Sequence, residues 1–354
     1  MIIGRAIEAV NGSRVPGEAA LRYDAPIMAK EEAAMPAGSS PSLAERPLEA
    51  PASGILPHLR YVLKAARPRQ WTKNGIVFMA LLFSIDQEYT LDDPSTWGWK
   101  LVESLIAFVC FCMVSSADYL VNDIRDVEAD RLHPRKRHRA IAAGQLSINS
   151  AWIWAGVLAV AGNAIAFALD WQMGLVVLGY TVLMVAYSYW LKHMVLIDLM
   201  VIATGFVLRA AAGALAIDVP ISPWLYVMTA LGALFIGIYK RRAEIELLQD
   251  DAGNHRKILD EYNLELLDQM AMTVTAATVM AYGLYTFTAE GLPDNHSMML
   301  TIPFVLYGIF RYLYLVHTRH EGGSPEEVLL RDPPILLTVI AWGVTAAVIL
   351  MLGR

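Results

Sequence analysis

Apolar residues run along this chain in long unbroken stretches separated by short polar connections. Nine stretches stand out: Lys73 to Ile85, Leu101 to Val121, Ala151 to Leu169, Met173 to Leu191, Val195 to Ala216, Pro223 to Tyr239, Leu267 to Ala289, Met298 to Val316 and Ile335 to Leu352. A helix that crosses the hydrocarbon core of a bilayer needs roughly 20 predominantly apolar residues. Most of the nine approach that length, and the first falls short of it. The stretches are apolar on every face, without the period-two alternation of a membrane β-strand. The pattern predicts an all-α, polytopic membrane protein with nine transmembrane helices.

Composition supports this: 56% of the 354 residues are hydrophobic and 18% charged, with a mean hydropathy of +0.43. An ordinary soluble domain of this length is less apolar. The first fifty residues differ, being dominated by Gly, Ala, Pro, Ser and Glu with no apolar core of signal-peptide length. We read residues 1–56 as a disordered cytosolic tail and 57–354 as the transmembrane domain. Cys110 and Cys112 share one span without companions at metal-ligand spacing, so they read as small packing residues rather than a disulfide or metal site.

Charge sorts by side. Of the 28 Lys and Arg residues, five lie in the tail and two, Arg209 and Arg311, inside predicted helices. Nineteen of the others fall on the side of the loop that follows Val121, and only Lys100 and Arg354 on the opposite side. Basic residues in short loops stay in the cytoplasm, which puts the N-terminus and this face in the cytosol. The charged stretches gathered there are RPRQWTKN (Arg67 to Asn74), NDIRDVEADRLHPRKRHRAIAAG (Asn122 to Gly144), KRRAEIE (Lys240 to Glu246), RKILDEYN (Arg256 to Asn263) and GGSPEEVLLRD (Gly322 to Asp332). Topology and anionic headgroups explain the bases. They do not explain the acids among them.

If the helix beginning near Leu101 continues past the membrane surface, Asp123, Asp126 and Asp130 fall within about 60° of one another, with Asn122 at the border. Three carboxylates on one face repel unless a cation sits among them. Hard oxygen ligands of this kind suit Mg²⁺, which typically bridges carboxylates to substrate phosphates. A solvated helix end, satisfied by neighbouring bases, is the simpler account. The position beside the bilayer, where carboxylates are costly and mark function, favours the metal. Arg135, Lys136, Arg137 and Arg139 follow and offer point charges and planar forks for phosphate oxygens. Together these features point to a phosphorylated substrate met at the membrane surface.

NDIRDVEAD reproduces an NDxxDxxxD motif, and with it the chain resembles the UbiA superfamily of intramembrane prenyltransferases. That resemblance implies a nine-helix UbiA-like bundle with cytosolic cap loops. The superfamily usually carries a second aspartate-rich motif after the sixth helix, where this chain reads YKRRAEIELL. With RPRQWTKN, HPRKRHRAIAAG, IDLMVIATGFVLRAAAGA and GGSPEEVLLRD, it looks like the branch of 5-phosphoribose-diphosphate:decaprenyl-phosphate phosphoribosyltransferases. Ala140 and Pro333 depart from that branch, which usually has proline and arginine there.

The resemblance implies attack by a polyprenyl phosphate oxygen on C1 of phosphoribose diphosphate, with Mg²⁺-bound diphosphate leaving, in the plasma (inner) membrane at its cytosolic face. Asp123, Asp126 and Asp130 are then assigned to the metal and the leaving group, with Asn122 hydrogen-bonding beside them. Arg135, Lys136, Arg137 and Arg139 are candidates for the donor phosphates, and Arg69 and Lys73 for either the lipid phosphate or the donor. Lys240, Arg241 and Glu244 occupy the place of the second metal motif, one cation there replacing one metal. Tyr262 is a candidate to close the mouth. Asp198 and Arg209 share a predicted helix; Arg209 reads as structural, and Asp198 is open between an ion pair and a substrate contact. No nucleic-acid partner is expected, and a homo-oligomer is compatible with the sequence.

Two other readings have different signatures. Prenyl transfer from its diphosphate to an aromatic acceptor predicts the second aspartate motif. A transporter predicts paired repeats with broken helices and gives no reason for an acidic ladder.

Overall fold

The computed structural model describes residues 54–84, 89, 93–133, 136–221, 223–248, 261–290, 292–319, 328 and 331–352. Nearly all of the expected tail, through residue 53, and the candidate Arg135 lie outside these residues, as do most of the connections at 249–260 and 320–330. The described residues form helices and turns without a β-strand. In chain order the helices are α1 (Ile55–Ala66), α2 (Met79–Phe83), α3 (Pro94–Arg125), α4 (Val127–Leu132), α5 (Ile148–Leu169), α6 (Trp171–Tyr189), α7 (Ile197–Ala216), α8 (Pro223–Leu248), α9 (Leu264–Thr288), α10 (Ile302–Arg319) and α11 (Pro333–Leu352). A 3₁₀ segment, Pro68–Phe78, joins α1 to α2.

Polar residues at the stretch boundaries set where helices start. Asp93 accepts the Ser95 N–H at 2.9 Å with Pro94 in the first turn of α3, and Asn263 accepts the Leu266 N–H at 2.7 Å to open α9. Asp170 ends α5 and caps α6 through the Met173 N–H at 2.7 Å, so one residue turns the chain between two antiparallel helices. Such caps satisfy backbone donors that a helix start leaves open.

Eight helices among the described residues are long and apolar enough to cross a membrane, with α3 and α7 the most enclosed by protein. Eight such helices in one chain mark a multi-pass membrane protein. The first predicted span is not among the eight. Its described residues, 73–84, form the second half of the eleven-residue 3₁₀ segment and then five-residue α2. The tighter, narrower 3₁₀ winding rises about 2.0 Å per residue against about 1.5 Å in an α-helix. Residues 73–83 therefore rise about 20 Å, short of the roughly 30 Å hydrocarbon core. Gly213 of α7 lets this segment approach closely: a Cβ there would collide with the carbonyl of Val77.

The apolar core of the described residues has three main parts, one of which joins α1, the end of α3, α4 and the start of α5 through Val62, Leu120, Ile124, Val127, Ile141 and Ala151. Val77, Phe111, Val114, Met173, Val177, Tyr180 and Val201 join the 3₁₀ segment to α3, α6 and α7. Leu199, Ile238, Tyr239, Leu267, Tyr312 and Ile335 join α7 to α8, α9, α10 and α11. Helix α7 contributes to the last two. Its N-terminus lies beside the ends of α6, α8 and α9, where the charged residues gather.

Candidate active site

The motif stretch does not continue as one helix. Helix α3 ends at Arg125, Asp126 takes φ −96° and ψ 8°, and α4 resumes at Val127. The irregular residue divides the ladder, with Asn122, into two pairs of oxygen acceptors. Asp123 and Asp130, both almost fully buried, converge on Nη1 of Arg139 at 3.1 and 2.6 Å. Asn122 and Asp126 converge instead on Nζ of Lys192, at 3.2 and 2.6 Å.

A third cation completes the neutralisation. Arg67, in a left-handed backbone conformation between α1 and the 3₁₀ segment, pairs with Asp123 and lies over the ring of Tyr119. The carboxylates thus repel one another less than a bare ladder would. Burial still pushes the Asp130 carboxyl up from its ordinary value, with the Asp123 charge adding to this and Arg139 opposing it. Among the described residues, no three acidic, cysteine or histidine side chains form one metal-ligand group.

A second cluster lies where α6, α7, α8 and α9 meet. Asp198, fully buried at the start of α7, accepts Nε of Arg241 at 2.8 Å and the Tyr262 hydroxyl at 2.8 Å. Arg241 also donates to Glu244 at 2.6 Å and to the Tyr187 hydroxyl at 3.4 Å. The Tyr262 hydroxyl accepts the N–H of Leu196 at 2.7 Å, and burial pushes its phenol up to about 12. Leu196 itself has φ 67° and ψ −38°. A bulky side chain rarely adopts that conformation, which persists where surrounding contacts over-determine it. Asp198 is thus held in an ion pair to another helix. Tyr262 fixes the start of α7.

Below these clusters a polar column descends between α3, α6, α7 and the 3₁₀ segment. Trp71 donates to Ser116 at 3.1 Å, Asn74 to Ser115 at 3.3 Å, and Ser188 to Asp118 at 3.3 Å. At its foot, buried Arg209 donates to Asn74 Oδ1 at 2.8 Å, Tyr180 OH at 2.6 Å and the Gly205 carbonyl at 2.8 Å. Phe111, Tyr180 and Phe206 present their rings to its guanidinium. Arg209 therefore pins three elements together through neutral groups rather than through an ion pair.

The other sequence candidates are dispersed. Arg69 is exposed, and its side chain makes no contact with the ladder. Lys73 lies on the 3₁₀ segment, half-buried. Lys136 and Arg137 lie in the short 3₁₀ turn Lys136–His138 just before Arg139; the Lys136 charge acts on Asp130, whereas Nε of Arg137 donates to its neighbour His138 at 3.4 Å. Lys240 is half-buried on α8. Sequence reasoning missed Arg67 and Lys192 as ladder partners. It also passed over Asp118, one helical turn before Asn122, a spacing that was there to be read.

An all-helical membrane bundle enclosing a buried aspartate-rich polar centre is the arrangement of the intramembrane prenyltransferases. The chain belongs to the UbiA prenyltransferase family, whose model matches residues 89–328. It is 36% identical over 292 residues to the decaprenyl-phosphate phosphoribosyltransferase of Mycolicibacterium smegmatis, covering 79% of this chain and 89% of that one. The enzyme of the same name from Corynebacterium glutamicum is 37% identical over 290 residues, covering 79% and 84%. In fold, the chain is similar to a UbiA homolog from Archaeoglobus fulgidus bound to DMAPP and Mg²⁺, with a TM-score of 0.60 at 18% identity over 83% of this chain and 97% of that one.

Proposed function

We propose that the protein transfers 5-phosphoribose from phosphoribose diphosphate to a polyprenyl phosphate of the decaprenyl type, releasing diphosphate. The likeness to relatives of that name over about four-fifths of the chain carries this reading. In the site, it is supported by what stands at the end of α8: a cation, Arg241, bound by Asp198 and Glu244, where the usual family pattern has a second aspartate motif. A donor with both a diphosphate and a 5-phosphate suits a site rich in fixed cations.

The donor set fits a divalent ion. Asp123 and Asp130 are buried hard oxygens that already converge on one positive centre. They would hold Mg²⁺, with Asp126 and Asn122 alongside. When bound, the ion neutralises the charge of the departing diphosphate. Arg135, Lys136, Arg137, Arg139 and Lys240 bind donor phosphates, and Arg69 and Lys73 meet the lipid phosphate or the donor. The lipid phosphate oxygen forms the new bond to C1 as the C1–O bond to diphosphate breaks. That oxygen is anionic at neutral pH, so no general base is needed, and the protein acts by positioning and charge neutralisation.

The basic residues gathered on one side support a reading in which this chemistry and the N-terminus face the cytosol, in the plasma membrane. Residues 1–56 then form a tail outside the catalytic domain of 57–354. A donor comparison tests the reading. Purified protein should consume phosphoribose diphosphate in the presence of a polyprenyl phosphate and ignore prenyl diphosphate with an aromatic acid. The opposite preference would return it to aromatic prenyl transfer.

A further inference from the structure

The carboxylates proposed for the metal are already neutralised by the protein. Arg139 Nη1 lies within hydrogen-bonding distance of both Asp123 and Asp130, and Arg67 pairs with Asp123 as well. The two carboxylates are almost fully enclosed, at 2% and 4% side-chain exposure, whereas the Arg139 side chain keeps 24%. The acids are fixed on α3 and α4. Arg139 comes from the turn between Lys136–His138 and α5 and has the freer side chain. A divalent ion added with Arg139 in place would crowd two guanidinium groups and a dication onto two carboxylates. Bare buried carboxylates would be costly in the opposite sense.

We infer that Arg139 exchanges partners: it neutralises Asp123 and Asp130 while the donor is absent, and moves to diphosphate oxygens when a divalent ion takes its place between them. The inference rests on the proposed reading and deepens it. Its consequence is a coupling between metal and diphosphate. Diphosphate gives the displaced guanidinium a new anionic partner, so each ligand strengthens the other's binding, and by linkage the effect is reciprocal. A metal without diphosphate meets an occupied site. The Lys192 pair with Asn122 and Asp126 provides a built-in comparison, because Lys192 is not bound by Asp123 or Asp130.

The test measures Mn²⁺ binding to the full-length protein in nanodiscs by electron paramagnetic resonance, with and without inorganic pyrophosphate, at matched free Mn²⁺. For the unmodified protein, pyrophosphate should raise Mn²⁺ affinity about tenfold or more, within the roughly 5–150-fold range of coupled sites. Arg139→Gln should bind Mn²⁺ alone more tightly than the unmodified protein and gain little from pyrophosphate. Lys192→Gln should keep the larger part of the enhancement. Arg139→Lys retains the charge where the glutamine variant fails to fold, and its enhancement should be smaller than that of the unmodified protein. The exchange is overturned if pyrophosphate leaves Mn²⁺ affinity unchanged, if Arg139→Gln weakens binding of Mn²⁺ alone, or if Arg139→Lys leaves the enhancement intact. Binding of neither Mn²⁺ nor pyrophosphate would overturn the metal assignment along with it, whereas metal binding without coupling would leave the proposed transfer standing.

Discussion

Asp126 shows how far one residue's role depends on where the chain turns. On a continuous helix it would be the centre of a three-carboxylate face; with the break it belongs to Asn122 and Lys192. Asp126→Asn keeps its size and removes the charge that Lys192 meets. We expect kcat to fall about 10²–10³-fold, the scale of losing one preorganised charge-stabilising contact, measured by steady-state kinetics on folded protein. Near-normal turnover would make Asp126 a solvated helix end. Arg241 and Lys240 should separate in the same way. Arg241→Ala strands the fully buried Asp198 and should cost about 3–5 kcal/mol of stability, as for a broken buried ion pair, seen as a lowered melting temperature. Lys240→Ala should melt normally and raise the KM for the sugar donor more than that for the lipid phosphate.

At the scale of elements, the long apolar stretches made the helices legible, and capping residues such as Asp170 and Asn263 are local signals. The 3₁₀ form of the first segment was not legible, because it depends on a close approach to α7 through Gly213, more than a hundred residues away. Gly213→Ala should push that segment off α7 and loosen the hydrogen bond from Arg209 to Asn74. Overpacking of this kind costs about 1–3 kcal/mol, checked by thermal melting; an unshifted melt would mean the segment yields without cost. The candidate site divides similarly. The acids were visible as a motif, but two of the cations that hold them were not: Arg67 and Lys192 lie 56 and 66 residues from their partners. Arg139 is only 16 residues from Asp123, and it was among the candidates.

For the whole molecule, an apolar bundle surrounds a polar column that leads to two charged clusters at one end. Such a column is expensive in hydrocarbon and marks function in membrane proteins. The reaction should depend on a divalent ion: EDTA in excess should abolish turnover and Mg²⁺ restore it, whereas full activity under chelation would remove the metal from the mechanism. The central claim is the identity of the two substrates. The most direct measurement incubates the reconstituted protein with isotope-labelled phosphoribose diphosphate, Mg²⁺ and decaprenyl phosphate, and analyses the lipid fraction by mass spectrometry. A labelled lipid carrying one phosphoribosyl group should form in step with released diphosphate. An unlabelled lipid fraction from active protein that transfers a prenyl chain to an aromatic acid would contradict the claim.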